Sequence, residues 1–289
     1  SPLFFFNRDK VSKKYNIIHQ HGIFLPISIL TLSIKKAKKI VNPHGYLEPE
    51  KLNFSKWKKQ IALFIFENNN LKNCDCLVAC SKKEASSIRK LGFNQPIVIL
   101  PNGVDDSMLI KKIKLNKPLL FKGIHSINQK SKILLFLSRI HPWKGLELLL
   151  KSILMIKDNF RCNNWKFVIA GPDELNHSSE LISFVNNNNI CDLVKFVGPQ
   201  YGENKLSAMD SADCLILPSM GENFGISIIE SLARGIPIIT TKNTPWKELV
   251  KNKCGWWIER NEEEFTKVLL DLIKKDKKYL AEMGSNGIK

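Results

Sequence analysis

Short aliphatic and β-branched runs alternate along this chain with amphipathic helical runs, and few folds accommodate that alternation. Strands are expected at 16–19, 39–42, 76–80 and 97–100, then at 132–138, 165–170, 193–197, 213–217, 236–240 and 255–258. Helical periodicity fills the intervals, at about 23–36, 53–70, 82–91, 144–157, 177–188, 203–210, 225–234 and 261–274. Strand–helix–strand repeats place helices on both faces of a parallel sheet, so the fold class is α/β. Six strands from residue 132 onward make a complete doubly wound unit, whereas the four before it match only the back half of one. Pro101-Asn102-Gly103-Val104-Asp105 reads as a turn, and it opens a Lys-rich stretch without strong periodicity to about residue 131. The chain therefore divides into a partial domain at 1–115, a linker at 116–131 and a second domain at 132–289.

Composition narrows the function. The 289 residues carry 44 Lys and Arg against 27 Asp and Glu, a net charge of +17. The excess is regional: residues 1–115 hold 20 basic and 8 acidic residues (+12), and residues 116–289 hold 24 and 19 (+5). Six of the basic residues are Arg, the side chain suited to bidentate phosphate or guanine contacts, which argues against nucleic acid as a partner. Lys35-Lys36-Ala37-Lys38-Lys39 and Lys56-Trp57-Lys58-Lys59 suit a peripheral contact with an anionic membrane, or are ordinary solvated faces. No apolar stretch is long enough to span a bilayer and no secretory signal opens the chain. Seven scattered cysteines without Cys-x-x-Cys spacing exclude a zinc-ribbon pattern and fit reduced thiols in a cytoplasmic protein, which the lysine clusters would place peripherally at the inner face of the cell membrane. The chain starts at Ser1 without an initiator Met and ends just after a helical pattern, which reads as a fragment of a longer protein.

Ligands of doubly wound sheets lie beyond the carboxyl ends of the strands, so the residues following each strand hold the candidate chemistry. After 132–138 come Arg139 and Lys144, two cations bracketing a short loop and able to neutralise a diphosphate. Gly171 follows the next strand in a Gly-Pro turn that allows close ligand approach, and Gly198-Pro199, after the strand at 193–197, is an apolar lip that could pack on a nucleobase. After 213–217 comes Gly221-Glu222-Asn223-Phe224-Gly225, leading into a helix that contains Glu230. Glu222 at such a junction would repel phosphate but accepts hydrogen bonds from sugar hydroxyls, and Glu230 can do so from a ribose. The helix-terminal amides of this junction suit the anionic part of the same ligand. Two capping or salt-bridged acids would give the same pattern. The sequence contains no Asp-x-Asp motif, so no metal on the diphosphate is indicated.

Taken together, these residues resemble the retaining glycosyltransferases of family 4, the group 1 nucleotide-sugar transferases with two facing Rossmann-like domains of the GT-B fold. The resemblance rests on Ser138-Arg139 with Lys144-Gly145, Ala170-Gly171-Pro172, Phe196-Val197-Gly198, the Glu222-x7-Glu230 pair with Phe224-Gly225, and Ala233-Arg234-Gly235-Ile236-Pro237. In the first part it rests on His19-Gln20-His21-Gly22, Pro43-His44-Gly45, Ser81 and Pro101-Asn102-Gly103-Val104-Asp105. It covers nearly the whole chain, with the first domain incomplete at its amino-terminal side.

The resemblance implies a hexosyltransferase of class EC 2.4, transferring a sugar with retention and without metal from a nucleoside-diphosphate sugar. The acceptor would be a glycan or lipid-linked molecule of cell-surface polysaccharide or lipopolysaccharide synthesis. Arg139 and Lys144 would hold the diphosphate, and Glu222 the donor sugar, near the amides of Asn223, Phe224 and Gly225. Glu230 would hold the ribose, and Val197, Gly198 and Gly171 would line the donor site. His44 would stand near the reacting sugar, with His19, His21 and Gly22 on the acceptor side. No cofactor is implied beyond the donor itself. A catalytically inactive nucleotide-sugar-binding fragment is the alternative, and a basic nucleic-acid-binding protein a more distant one.

Overall fold

The computed structural model describes residues 14–53, 56–109 and 117–289. The opening residues and residues 110–116, inside the stretch read as irregular, lie outside that description. The chain forms two compact units, Ser1–Asn102 and Gly103–Lys289.

In the first unit, β1 (Ile17–His21), β2 (Lys38–Asn42), β3 (Cys76–Ala79) and β4 (Ile97–Ile99) form a parallel sheet in the order β1-β2-β3-β4. Its helices are α1 (Pro26–Ser33), α2 (Pro49–Asn53), α3 (Lys56–Ala62), a π-helical turn over Leu63–Glu67, α4 (Asn68–Lys72) and α5 (Lys82–Lys90). Leu71, Leu77, Val41 and Ile88 fill the space between sheet and helices. Ser81 caps α5 by accepting the Glu84 N–H, which fixes the turn after β3. The helix expected at 53–70 is thus realised as α3, the π turn and α4 in succession.

In the second unit the helices are α6 (Lys117–Ile124), α7 (Leu146–Met155), α8 (Lys157–Cys162), α9 (His177–Asn187), α10 (Gly202–Asp210), α11 (Ile226–Ala233), α12 (Glu248–Lys251), α13 (Glu262–Lys274) and α14 (Lys277–Ile288). The strands are β5 (Lys132–Leu137), β6 (Trp165–Ala170), β7 (Val194–Gly198), β8 (Cys214–Leu217), β9 (Ile238–Thr241) and β10 (Gly255–Ile258). They pair in parallel in the order β10-β9-β8-β5-β6-β7. The order runs outward from β5 in both directions, so the strand order reverses between β5 and β8, the point at which ligands of such sheets bind beyond the strand ends. Leu134, Phe136, Phe167 and Leu215 are fully buried, as continuous apolar runs in a sheet covered on both faces must be. Asn261 caps α13 by accepting the Glu264 N–H, and Glu262, Glu263 and Glu264 in its first turn suit the positive helix end.

Helix α6 corrects the expectation of an irregular linker. Its eight residues are too few for periodicity to be read, and tertiary contacts rather than amphipathic pattern hold it. Phe121 is buried, Lys122 Nζ donates to the carbonyls of Ser131 (2.7 Å) and Gln129 (3.1 Å), and the helix packs on α10. None of the described cysteines forms a disulfide, and four of them (Cys74, Cys80, Cys214 and Cys254) are buried, where they pack as small groups.

Gly284 sets how closely α14 approaches the turn after α11. A Cβ at this position would come within 1.8 Å of the Gly235 carbonyl oxygen. Replacing a helical Gly by Ala normally stabilises by up to about 1 kcal/mol. Here the collision with backbone outweighs that gain, and Gly284→Ala is expected to destabilise by about 1–3 kcal/mol. Urea denaturation of the two proteins measures this; an unchanged or raised stability would show that α14 does not seat against Gly235.

Candidate active site

Two loops of the second unit meet at the point where strand order reverses. Residues 138–145 follow β5 and residues 218–225 follow β8. They touch through backbone: a Cβ on Gly145 would lie 2.4 Å from the Pro218 carbonyl oxygen, and Gly145 has φ +73°. Only glycine meets both conditions. Trp143 ties the loops further, its carbonyl accepting the Met220 N–H and its Nε1 donating to the Gly221 carbonyl, both at 2.9 Å.

This contact brings Lys144 to Glu222. Lys144 Nζ lies 2.5 Å from Glu222 Oε1, and the two side chains are 10% and 13% exposed. Ser219, itself fully buried, donates to the same oxygen at 2.6 Å, and Thr241 Oγ1 donates to the Ser219 carbonyl at 2.8 Å. Lys144 and Ser219 thus both reach Oε1 of this carboxylate. Beside it, Asn223 Oδ1 is buried with no hydrogen-bond partner. A buried acceptor of that kind is costly unless a donor reaches it. Phe224 stacks obliquely on Trp246, with centroids 5.2 Å apart, and its carbonyl accepts the Trp246 Nε1–H. Gly225, at φ +82°, starts α11, whose amino terminus has no side-chain cap.

Other expected residues are arranged differently. Arg139 lies at the surface and is paired with Glu174, Nη1 standing 2.8 Å from both carboxylate oxygens. The space beside Gly171 is taken by backbone, since a Cβ there would meet the Ser138 carbonyl oxygen at 1.8 Å. The Gly171 N–H donates to the Gly198 carbonyl, and open space adjoins Gly198 at the end of β7. Val197, also at that strand end, has its carbonyl held by Gln200 Nε2 at 2.8 Å. Glu230, buried in α11, accepts from Lys205 Nζ of α10 at 2.7 Å. Sequence reasoning missed Lys205, Ser219 and Glu174. Ser219 had a local signal, three residues before Glu222 in the same strand-end loop, whereas Lys205 is 25 residues from its partner on another helix.

In the first unit three imidazoles lie together at the ends of β1 and β2. His21 Nδ1 is 2.9 Å from His44 Nε2, and the His19 and His21 rings are 4.2 Å apart. Burial, reinforced by the neighbouring rings, holds the pKa values of His19 and His44 below the ordinary histidine value. Two buried carboxylates shape the loops that present them. Glu84 accepts the N–H groups of Gly45 (2.5 Å) and Cys80 (2.7 Å), fixing the turn in which His44 has φ +51°. Glu67, in the π turn, accepts the Phe24 N–H at 2.6 Å and the Asn70 Nδ2–H at 2.9 Å. Gln20 donates to the Gly22 carbonyl at 2.7 Å and fixes the loop after β1. Among the described residues, no three His, Cys, Asp or Glu side chains converge as a metal site, and no helix is long and apolar enough to cross a membrane.

Residues 120–289 match the family described as glycosyl transferases group 1, and residues 2–108 match Glycosyltransferase Family 4. The chain belongs to the group 1 glycosyl transferases. Both units together have the GT-B type of fold, two parallel-sheet α/β domains. Among its relatives, an uncharacterized glycosyltransferase of Methanocaldococcus jannaschii is 26% identical over 181 residues, covering 61% of this chain and 44% of that protein. A protein of the cps region of Klebsiella pneumoniae is 26% identical over 249 residues, covering 83% and 63%. The O-antigen biosynthesis glycosyltransferase WclY of Escherichia coli is 22% identical over 276 residues, covering 93% and 73%. The chain thus spans less than two thirds of the length of the first two. Anabaena HepE, solved in complex with UDP and glucose, superposes with a TM-score of 0.81 at 19% identity, over all of this chain and 76% of that one. At that identity the likeness is one of fold.

Glu48 closes the turn that begins at His44 and supplies a pH test of this region. Burial raises its pKa to about 7, partly offset by Lys83 3.6 Å away, and its Oε1 has no hydrogen-bond partner. A carboxyl whose folded pKa exceeds its unfolded one contributes stability at low pH and loses it as pH rises through the folded value. The Glu48→Gln protein, lacking this titration, is expected to gain on the wild type between about pH 4.5 and about pH 7, by on the order of 3 kcal/mol. Denaturant unfolding across that range checks it, and a constant difference would place the Glu48 carboxyl in water.

Proposed function

We propose that the protein is a retaining hexosyltransferase that uses a nucleoside-diphosphate sugar donor and acts in cell-surface polysaccharide or lipopolysaccharide synthesis. The observation that carries the reading is the Lys144–Glu222 pair at the point where strand order reverses, with Glu222 already held on one oxygen by Lys144 and Ser219. The group 1 family match and the fold shared with a protein solved with UDP and glucose support it.

In this reading Lys144 and Arg139 meet the donor diphosphate and the amides at Asn223, Phe224 and Gly225 complete its cradle. Phosphate oxygens compete with Glu222 for Lys144, and with Glu174 for Arg139. Glu222 then turns its free valence to donor-sugar hydroxyls, with Asn223 Oδ1 accepting a further one. Glu230 takes the ribose, and Val197 and Gly198 line the base beside Gly171. The departing diphosphate gains charge in the transition state, and fixed cations and amides in a partly buried site stabilise it there without a metal. Glycosidic bond cleavage is oxocarbenium-like, and a leaving phosphate oxygen takes the acceptor proton. His44 attends the reacting sugar, with His19, His21 and Gly22 on the side of a glycan or lipid-linked acceptor. The protein works in the cytoplasm, in peripheral contact with an anionic membrane, and takes no nucleic acid.

A thermal-shift screen against UDP-, GDP- and ADP-sugars tests this, because a ligand that binds only the folded state raises its stability by about 2.7 kcal/mol at a hundredfold excess over Kd. One nucleotide class is expected to raise the melting temperature. Glu222→Gln should keep the shift with the free nucleoside diphosphate and lose the extra shift supplied by the sugar. An inactive binding fragment would show the shifts without turnover. No shift with any sugar nucleotide, together with a shift on adding RNA, would contradict the proposal.

A further inference from the structure

The first unit carries an apolar stripe that no part of the proposed transfer chemistry uses. Helix α3 and the π turn present Trp57, Ile61, Phe64 and Ile65 to solvent, with exposures of 64%, 48%, 90% and 64%. Their spacing of four, three and one places them along one side of the helical rod. The opposite side is anchored, since Glu67 and Leu71 are fully buried and Glu67 holds the Phe24 N–H. Isolated surface apolar residues are ordinary, whereas four in a row on one short rod mark an interaction surface.

The charge around the stripe indicates what covers it. Residues 51–66 contain four lysines (Lys51, Lys56, Lys58 and Lys59) and no Asp or Glu. A cavity of about 380 Å³ opens beside α3, with Leu47, Leu52 and Leu63 among its apolar lining and Lys56, Lys59 and Lys90 among its basic one. Apolar side chains at the centre with long basic side chains beside them match the boundary between headgroups and acyl chains. There lysines snorkel to phosphates while Trp and Phe sit in the interface. A second copy of this chain fits poorly, because a two-fold contact on this stripe would bring its lysines against their own copies. The other lysine run differs: Lys38 is paired with Asp75 at 2.8 Å, and Lys39 is buried and donates to the Leu32 carbonyl.

We propose that the Trp57–Ile61–Phe64–Ile65 stripe, with its surrounding lysines, is the surface by which this protein docks on an anionic lipid bilayer. The stripe inserts shallowly while Lys56, Lys58 and Lys90 contact lipid phosphates. This assigns the membrane contact to one face of the first unit, and it holds whether or not the second unit binds a sugar nucleotide.

Cosedimentation of the chain with phosphatidylcholine vesicles, with and without phosphatidylglycerol, tests the assignment. Binding is expected to vesicles containing phosphatidylglycerol, and to weaken as salt screens the lysines. Phe64→Ser with Ile65→Ser is expected to lower partitioning by about tenfold or more. Its melting temperature should match that of the wild type, because both side chains are exposed. Lys56→Ala with Lys58→Ala is expected to abolish the preference for anionic lipid, and Lys35→Ala with Lys36→Ala to leave binding unchanged. Three results would overturn the proposal: no binding to anionic vesicles, wild-type binding by the Phe64/Ile65 variant, or loss confined to the Lys35/Lys36 variant. A dimer that disappears in the Phe64/Ile65 variant, without vesicle binding, would instead give the stripe to a second copy. Because the readout is lipid binding without donor or turnover, its failure is distinct from failure of the transferase reading.

Discussion

The approach of Gly145 to the Pro218 carbonyl is the contact on which the candidate site depends. Parallel strands that diverge in order leave a crevice, but a crevice alone aligns no side chains. The missing Cβ of Gly145 lets the loop after β5 lie directly on the loop after β8, and Trp143 then locks the two by hydrogen bonds in both directions. Lys144 and Glu222, separated by 78 positions in the chain, meet as a consequence. A pair this enclosed is not a device for stability, since burying two charges costs about as much as their attraction returns. In the function proposed above, a ligand competes for both members.

The first unit solves a related problem with buried carboxylates. Its two strand-end loops bend through left-handed residues, Gly22 and Phe24 after β1 and His44 and Gly45 after β2. Turns of that kind leave amides without intrastrand partners. Glu67 and Glu84, both fully buried, accept from Phe24 and Gly45 and convert strained loops into fixed ones. The histidines therefore stand on a rigid base, with protonation of His19 and His44 disfavoured by burial and by the neighbouring rings.

Much of this was legible in the sequence. The ten strands of the described residues were readable because parallel strands call for aliphatic and β-branched runs, unbroken where both faces are buried as from Ile133 to Leu137, and helices between them follow from chain geometry. The strand-end loops then located the candidate residues without a structure. Pairings were harder to read. Nothing local connects Lys205 to Glu230, or Arg139 to Glu174, since each pair is created by helices and loops brought together in three dimensions. Helix α6 was missed because its stability comes from Phe121 and Lys122 reaching the rest of the unit, not from a repeated apolar face. The carboxylates Glu67 and Glu84 were invisible for a related reason: each sits in a helical run where an acid normally faces water.

The central claim is that Lys144 and Glu222 act as one unit in holding a nucleoside-diphosphate sugar. Calorimetric titration of that donor into the wild type, Lys144→Met, Glu222→Gln and the double variant forms a cycle that isolates their coupling. The account predicts that each single change weakens the donor and that the effects are strongly non-additive, with a coupling of about 0.5–3 kcal/mol as found for residues in contact. Equal donor affinity in all four proteins, or losses that simply add, would contradict it.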